Sequence, residues 1–390
     1  MGPGQPFGFD LSELMRMLQS DGPVNWEVAR QSAAKIAITD PETGVERVEP
    51  PVDTTTVVAY DAVVRAAQVA VVAATGLGET QTMRVACVDR RTWAEGTLEG
   101  LKPVLEALAG PLQTPLAALD DDETDGTFGA DPLAGLVTVM MPMMLGLWAG
   151  SMMGLLAVHA LGQYDLPLPL SGEPRLVFVT SNIDEFSAAW SLPLDDLRYS
   201  VALREAVHAA QRSVPWVRDH LVQLASAYVS AYEINEDAFE GMLGDFDISN
   251  LTGMTDMPDA LTDPATLLGG MRTDRQAPLL EELQRFVAVL EGYTDTMVAQ
   301  LGEPMIPSFG MIDEALRRHR VDRGQAAAFV DRLLGLELDR EHYDQGVAFC
   351  AGVVERAGVD GLNRLWEGPA MVPTQAELAA PGLWLARIEL

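Results

Sequence analysis

Apolar residues recur every three or four positions along most of the chain, and uninterrupted apolar runs are few. The recurrent spacing is typical of helices that bury one face, whereas short continuous runs rich in β-branched residues indicate buried strands. Two segments fit the strand pattern, "TMRVACVDRRTW" from Thr82 and "PRLVFVTSNID" from Pro174. The helical spacing predicts helices over residues 26–37, 54–76, 98–118, 132–164, 195–214, 219–234 and 279–301, with shorter helices up to Trp366.

This succession of elements contains many helices and few strands, without a regular strand–helix alternation. It predicts an α+β fold that is mainly α-helical with a small sheet, and it argues against a parallel doubly wound sheet. Residues 1–22 are rich in Gly and Pro, which predicts a flexible amino-terminal segment, and residues 240–275 have the composition of a loop. We expect residues 23–390 to form a single large domain, with a division into two lobes near residue 166 as the alternative.

The segment between Pro132 and Tyr164 has no formally charged residue and is long enough to cross a bilayer as a helix. Gly146, Gly150 and Gly154 recur every four residues, a spacing that lets a second helix approach closely. The flanking segments are acidic, whereas membrane spans usually have basic residues on one side. These features favour a buried central helix over a membrane span.

The composition is that of an acidic globular protein. The 390 residues include 26 Lys and Arg against 57 Asp and Glu, a formal charge of −31. Such a charge repels the phosphate backbone, so we expect no nucleic-acid partner. Two cysteines, Cys87 and Cys350, are too few for a disulfide framework or a multi-cysteine metal site. The sequence does not open with a basic and then apolar secretory signal, which predicts a cytoplasmic protein.

The segment "REAVH", residues 204–208, contains two of the three functional letters of the zinc-protease signature H-E-x-x-H. In that signature two histidines four residues apart hold zinc, and the glutamate acts as general base on the metal-bound water. Here Arg204 stands at the first ligand position, Glu205 at the base position and His208 at the second ligand position. The alternative interpretation is an ordinary core histidine, because E-x-x-H is common by chance.

A second feature lies on the helix predicted over residues 279–301. Glu291 falls inside its apolar stripe, where a buried carboxylate is costly without a cation or hydrogen-bond donors. Asp295 follows four residues later on the same side of the helix. One group of zinc proteases uses this spacing, with Glu as a metal ligand and Asp orienting a ligand histidine. An exposed helix edge is the alternative interpretation.

Segments spread over nearly the whole chain show a family resemblance. They are "PFGFDLSELMRML", "GPVNWEVARQSA", "ALGQYDLPLP", "LVFVTSNIDEF", "VALREAVHAAQRSVPWVRDHL", "LEGYTDTMV", "YDQGVAFCAGVVERAGVDGLNRLWE" and "MVPTQAEL". In this order they resemble the actinobacterial-type zincin-like family of metallohydrolases, some relatives of which are associated with biosynthesis of a deazaflavin coenzyme. The resemblance implies a zincin-like architecture and zinc as cofactor.

Carried onto this sequence, the resemblance implies Glu205 as catalytic base and His208 and Glu291 as metal ligands. The first ligand does not transfer, because arginine stays protonated in proteins and cannot bind zinc. We therefore expect Arg204 to pair with Glu291 in place of the metal, with Asp295 supporting the pair from behind. Arg204→His would restore the signature and permit zinc binding.

Three functions follow from these observations. The first is a metallopeptidase-like hydrolase whose metal site is degenerate, acting on a peptide or amide. The second is a non-catalytic protein that binds a peptide or a protein partner in the inherited cleft, with the strand "LVFVT" as an edge for the bound chain. The third is a membrane-attached protein that uses residues 132–164. Metal content separates the first two, and cell fractionation separates the third.

Overall fold

The computed structural model describes residues 22–40, 43–49, 51–78, 83–118, 132–233, 273–321, 324–338 and 340–389. The segment expected to be flexible, 1–22, and the loop expected over 240–275 lie almost entirely outside these ranges.

Within the described ranges the chain is mainly helical with one small sheet, which confirms the predicted α+β class. The two strands are β1, Val85–Val88, and β2, Leu176–Val179. The helices are α1 Trp26–Ala37, α2 Thr54–Thr75, α3 Arg90–Ala118, α4 Pro132–Ala157, α5 Thr180–Trp190, α6 Leu194–Arg212, α7 Pro215–Val229, α8 Gln276–Gly302, α9 Phe309–Val321, α10 Gly324–Leu334, α11 Arg340–Asn363, α12 Gln375–Ala379 and α13 Pro381–Glu389. Two short 3-10 turns, Arg364–Glu367 and Pro369–Met371, follow α11.

Local capping signals place several helix ends where the sequence predicts them. The Asn25 side chain accepts the Val28 N–H at the start of α1, and Gly76 ends α2 with a φ of 66°. Helix α3 begins at Arg90, well before the predicted residue 98. The reason is Asp89, whose side chain accepts the Thr92 N–H at 2.7 Å and so caps a helix start that the apolar spacing does not reveal.

The sheet consists of β1 and β2, which pair in parallel, and all four residues of β2 are buried. The other edge of β2 is also occupied. The Val179 N–H donates to the Leu161 carbonyl, and the Gln163 N–H donates to the Val177 carbonyl, both at 3.0 Å. The expectation that this strand offers a free edge to a bound extended chain is therefore wrong, because the segment around Gly162 already pairs with it.

The predicted close approach of two helices occurs between α4 and α1. A Cβ atom at Gly146 would overlap the carbonyl oxygen of Asn25, the N-cap of α1, and one at Gly150 would overlap that of Ala29. A Cβ atom at Gly154 would lie 2.7 Å from Ile36 Cβ. In the part of α4 whose side chains are described, Met153 and Leu145 are buried in the common core. Helix α4 therefore lies inside the fold there, as the glycine spacing and the acidic flanks predict.

One hydrophobic cluster runs from Val24 to Ile388 and includes residues on both sides of position 166. It collects the inner faces of the helices and both strands. The single domain and its alternative division into lobes stay predictions.

By length and composition, one helix in the described part of the chain could cross a membrane, and it is α2. Its most apolar window has a mean hydropathy of 1.6. Tyr60, Val64 and Val71 of this helix are buried in the common core, whereas Val58 and Val69 are exposed. A core helix of a soluble protein meets the same criterion, so α2 is weak evidence for a membrane span. The cytoplasmic location stays a prediction.

We expect Gly150→Ala to lower the free energy of unfolding by about 1–3 kcal/mol, because the added methyl group overpacks the contact between α1 and α4. It would overlap the Ala29 carbonyl oxygen and lie 2.9 Å from Ser32 Cβ. Gly110→Ala in α3 is the matched control, since nothing lies within 4 Å of a Cβ there. Urea unfolding of both variants measures the difference. Equal stabilities would contradict the close helix contact.

Candidate functional site

The sequence-predicted site residues lie where α6 packs against α8. Arg204 and His208 are one turn apart on α6, and Glu291 and Asp295 are one turn apart on α8, so each pair shares a helix face. The two faces meet, with His208 Nε2 at 3.6 Å from Glu291 Oε1. The structure thus brings these four residues together, although they come from segments more than eighty positions apart.

Arg204 lies between the two carboxylates of α8. Its Nη2 donates to Glu291 Oε2 and its Nη1 donates to Asp295 Oδ1, each at 2.5 Å. The expected pairing with Glu291 is present, but the guanidinium bridges two carboxylates instead of holding Glu291 with both nitrogens. Asp295 is accordingly a direct partner of Arg204 and not a support behind the pair.

A second arginine, Arg320 of α9, completes this arrangement. Its Nη1 donates to Asp295 Oδ1 at 3.1 Å and lies 3.8 Å from Glu291 Oε2. Burial acts to raise the pKa of Asp295, but the guanidinium groups of Arg204 and Arg320 outweigh burial and lower it. We call Arg204, Glu291, Asp295 and Arg320 the arginine–carboxylate cluster. Cations of this chain therefore hold Asp295 in its charged form, and both arginines also lie within 4.0 Å of Glu291.

His208 is fully buried, and its surroundings decide where its proton lies. Burial, together with the nearby charges of Arg212, Arg204 and Arg320, lowers its pKa well below the usual value, so the ring is neutral. Arg212 Nη1 lies 3.1 Å from His208 Nδ1. A guanidinium has only donors, so this contact favours Nδ1 as the acceptor and the ring proton on Nε2. A metal-binding Nε2 would need the opposite tautomer.

Glu205, the expected catalytic base, is buried and points to the backbone of the segment that pairs with β2. Its carboxylate accepts the N–H of Gln163 at 2.9 Å and the N–H of Tyr164 at 3.0 Å. A Cβ at Gly162 would overlap the Glu205 carboxyl group, so glycine is required for this approach. Burial raises the pKa of Glu205 to about 8 against the opposing effect of the Tyr164 N–H. The geometry makes Glu205 an anchor for residues 162–164.

The zinc that the resemblance implies does not fit these residues. Arg204 occupies the first ligand position with two carboxylate bonds, and the contact between Arg212 and His208 Nδ1 favours a proton on Nε2. Over the described residues, no group of three or more His, Cys, Asp or Glu side chains is arranged to hold a metal ion. Zinc sites use three or four protein ligands. Among the described residues, His208 Nε2 and Glu291 Oε1 are buried without a hydrogen-bond partner, and they supply at most two ligands.

The arginine–carboxylate cluster borders a cleft of about 1380 Å³, and Asp295 and Arg320 are part of its wall. The cleft lies between α5, α9, α10 and α11. Its apolar and aromatic lining comprises Val158, Leu161, Phe186, Ala189, Trp190, Ala328, Leu338, Tyr343, Val347 and Ala348. Trp190 is 40% exposed, which leaves a large aromatic surface open to a ligand. A cleft of this size exceeds the roughly 300–1,000 Å³ of small-molecule pockets.

Sequence reasoning missed Arg212 and Arg320. Arg212 continues the row of Arg204 and His208 on α6, so the spacing of four residues is a signal that identifies it. Arg320 ends the run "RRHR" at residues 317–320 on α9, a different helix. No local spacing connects it to Glu291 or Asp295.

The pKa of Glu205 predicts a pH-dependent stability. Its folded pKa of about 8 lies above the usual value of 4.5, so between these values the folded state binds a proton that the unfolded state lacks. This contribution is complete below about pH 4.5 and is lost as the pH rises through about 8. We expect the free energy of unfolding to fall between pH 6.5 and 8.5, and to fall less in Glu205→Gln. Urea unfolding at pH 6.5, 7.5 and 8.5 checks this, and parallel profiles for both proteins would refute it.

Comparisons with known proteins agree with this fold. A family model described as a zincin-like metallopeptidase matches residues 24–385. A crystal structure described as a "putative hydrolase with a novel fold" from Chloroflexus aurantiacus superposes with a TM-score of 0.61 at 24% sequence identity. The match covers 94% of this chain and 99% of that chain. At this identity the likeness shows the fold alone. A comparison with curated proteins gives no match.

Proposed function

This chain belongs to the zincin-like metallopeptidase family, and we propose that it is a member in which the arginine–carboxylate cluster takes the place of the metal centre. Family membership confirms the resemblance noted in the sequence. The actinobacterial type and the link to a deazaflavin coenzyme stay predictions. We propose further that the protein binds a peptide or a protein segment in the cleft without metal-dependent hydrolysis.

The observation that carries this proposal is the position of the Arg204 guanidinium, bonded to both Glu291 and Asp295. A zinc ion and its ligands would have to occupy the same place and would have to displace a buried cation from two carboxylates. Arg204, Arg212 and Arg320 all lie close enough to lower the pKa of His208. A divalent cation beside His208 would be repelled by the same three charges.

The cleft supports a peptide or protein segment as the ligand. Its wall combines the open aromatic ring of Trp190 with apolar side chains and with charged groups of both signs. Aromatic and apolar surface provides most of the binding energy in such clefts, and a few polar groups fix the orientation of the ligand. Since both edges of β2 are occupied, side-chain contacts and not strand addition would hold the ligand.

A metal-dependent hydrolase is the second candidate, and one observation favours it. In the part of the chain that the structure describes, His208 Nε2 and Glu291 Oε1 are both buried without a hydrogen-bond partner. They lie 3.6 Å apart, a separation that two ligands of one metal ion can have. This function requires Arg204 to leave Glu291 and requires His208 to change its tautomer.

Two measurements on the full chain, purified without an affinity tag or chelator, test the proposal. Elemental analysis should give far less than one equivalent of zinc. A pool of fluorescein-labelled ten-residue peptides of randomised sequence should bind, remain uncleaved, and bind less well to Trp190→Ala and Tyr343→Ala. Leu383→Ala is the control, since Leu383 is exposed on α13 and does not line the cleft.

Stoichiometric zinc together with chelator-sensitive cleavage of the peptides would support the hydrolase instead. Peptide binding that is unchanged in Trp190→Ala and Tyr343→Ala, or absent from the unmodified protein, would overturn the peptide-binding proposal.

A further inference from the structure

Arg212, at the end of α6, is a buried cation that forms no ion pair with the described residues. Burial lowers its pKa, although Glu291 and Glu205 act to raise it from a greater distance. It is 3% exposed, and among the described residues no carboxylate oxygen lies within 4.0 Å of its guanidinium nitrogens. One nitrogen, Nη1, faces His208 Nδ1, and the guanidinium lies over the Tyr164 ring at 4.7 Å. Its Nε and Nη2 are buried without a hydrogen-bond partner in the described part of the chain. A buried charge in this situation is costly unless something neutralises it.

A small cavity adjoins Arg212, on a side of α6 that does not belong to the cleft. It has a volume of about 20 Å³, and Arg212, Arg175 and Arg218 all line it, together with Tyr164 and residues 170–174. A cavity of roughly 10–15 Å³ by this measure holds one water molecule. The space therefore accepts a small species, and three arginine residues contribute to its lining.

The charges around this cavity are mostly positive, although the chain as a whole has 57 acidic residues against 26 basic ones. The one carboxylate in its lining is that of Glu173, whose side chain is 79% exposed and lies 3.6 Å from Arg218. Arg218 also donates to the Gly172 carbonyl at 3.0 Å and pairs with Asp219. Glu173 is thus screened by water, whereas Arg212 is not.

We propose that this cavity binds one small monovalent anion, of the size of chloride or of a single carboxylate group. Arg212 binds it from inside the protein, and Arg175 and Arg218 close the outer side. The anion neutralises the buried guanidinium that fixes the tautomer of His208. The site is independent of the function proposed for the cleft, because it needs neither a metal nor a bound peptide.

Thermal unfolding of the full chain at increasing chloride concentration tests this proposal. Chloride replaces the bulkier methanesulfonate, so that the ionic strength stays constant. We expect the melting temperature to rise saturably with chloride. A comparable rise with acetate would identify a carboxylate as an equal ligand, and a rise with chloride alone would assign the site to halides. Crystals soaked in bromide should show an anomalous peak within hydrogen-bond distance of Arg212.

Variants separate the site from general salt effects. Arg175→Gln changes an exposed side chain and should weaken the chloride response about tenfold or more, and Arg212→Met should abolish it if that variant folds. Arg65→Gln is the control, because Arg65 is an exposed arginine on α2, far from the cavity in sequence and absent from its lining. A cavity that holds only water in bromide-soaked crystals, or a chloride response that is equal in Arg175→Gln and Arg65→Gln, would overturn the proposal.

Discussion

Arg204→Ala is expected to lower the free energy of unfolding by about 3–5 kcal/mol, the range for removing one partner of a buried ion pair. The Glu291 side chain is 3% exposed, and Arg204 is its closest cation. Without Arg204, Arg320 stays 3.8 Å from Glu291 and is already bonded to Asp295. The remaining charge on Glu291 therefore has no hydrogen-bonded cation. Urea unfolding at pH 7 measures the loss.

The control for this prediction is Arg65→Ala, which removes an exposed i,i+4 pair with Asp61 on α2. We expect a change of roughly 0.3–0.5 kcal/mol there, because water screens such pairs. A rescue variant tests the cause. Adding Glu291→Gln to Arg204→Ala removes the stranded carboxylate and should recover part of the stability. A loss below about 1 kcal/mol in Arg204→Ala, or no recovery in the double variant, would show that the cluster is not a buried ion pair.

The sequence predicted most of the helices because their apolar faces follow a local periodicity. The glycines of α4 also predicted a close helix contact, since a missing Cβ at every fourth residue has one main structural use. The pairing of Leu161 and Gln163 with β2 could not be predicted. These hydrogen bonds join segments that have no common sequence pattern. They occupy the second edge of β2, so a bound chain cannot pair there.

In the candidate site, too, features set by spacing along one helix could be predicted, whereas contacts with distant segments could not. The spacing of four residues places Arg204 with His208 and Glu291 with Asp295, and the cost of a buried carboxylate indicates that the two pairs need each other. The direction of Glu205 depends on the distant backbone of Gln163 and Tyr164. Sequence reasoning therefore predicted that Arg204 lies beside Glu291 and Asp295, but it could not predict the orientation of the Glu205 side chain.

The tautomer of His208 changes what is needed to build a metal site. Restoring H-E-x-x-H with Arg204→His supplies the missing ligand, but Arg212 still donates to His208 Nδ1 and keeps the ring proton on Nε2. In zinc proteins the second nitrogen of a ligand histidine donates to an acceptor, which leaves the first nitrogen free for the metal. Arg212 imposes the reverse arrangement. Arg204→His alone therefore leaves one requirement for zinc binding unmet, a His208 Nε2 that is free of its proton.

The double variant Arg204→His with Arg212→Gln is expected to bind about one equivalent of zinc. Its zinc affinity should be about 10–100-fold higher than that of Arg204→His alone, because a hydrogen-bond partner behind a ligand histidine usually has an effect of this size. The glutamine oxygen can accept from Nδ1, so Nε2 becomes available beside Glu291. Competition with a chromophoric chelator measures both affinities. Arg212→Gln alone is the control, because it lacks the first ligand and should bind no zinc at this site. Equal zinc affinities for Arg204→His and the double variant would show that Arg212 does not control the tautomer of His208. The prediction concerns zinc binding and does not require peptide cleavage by either protein.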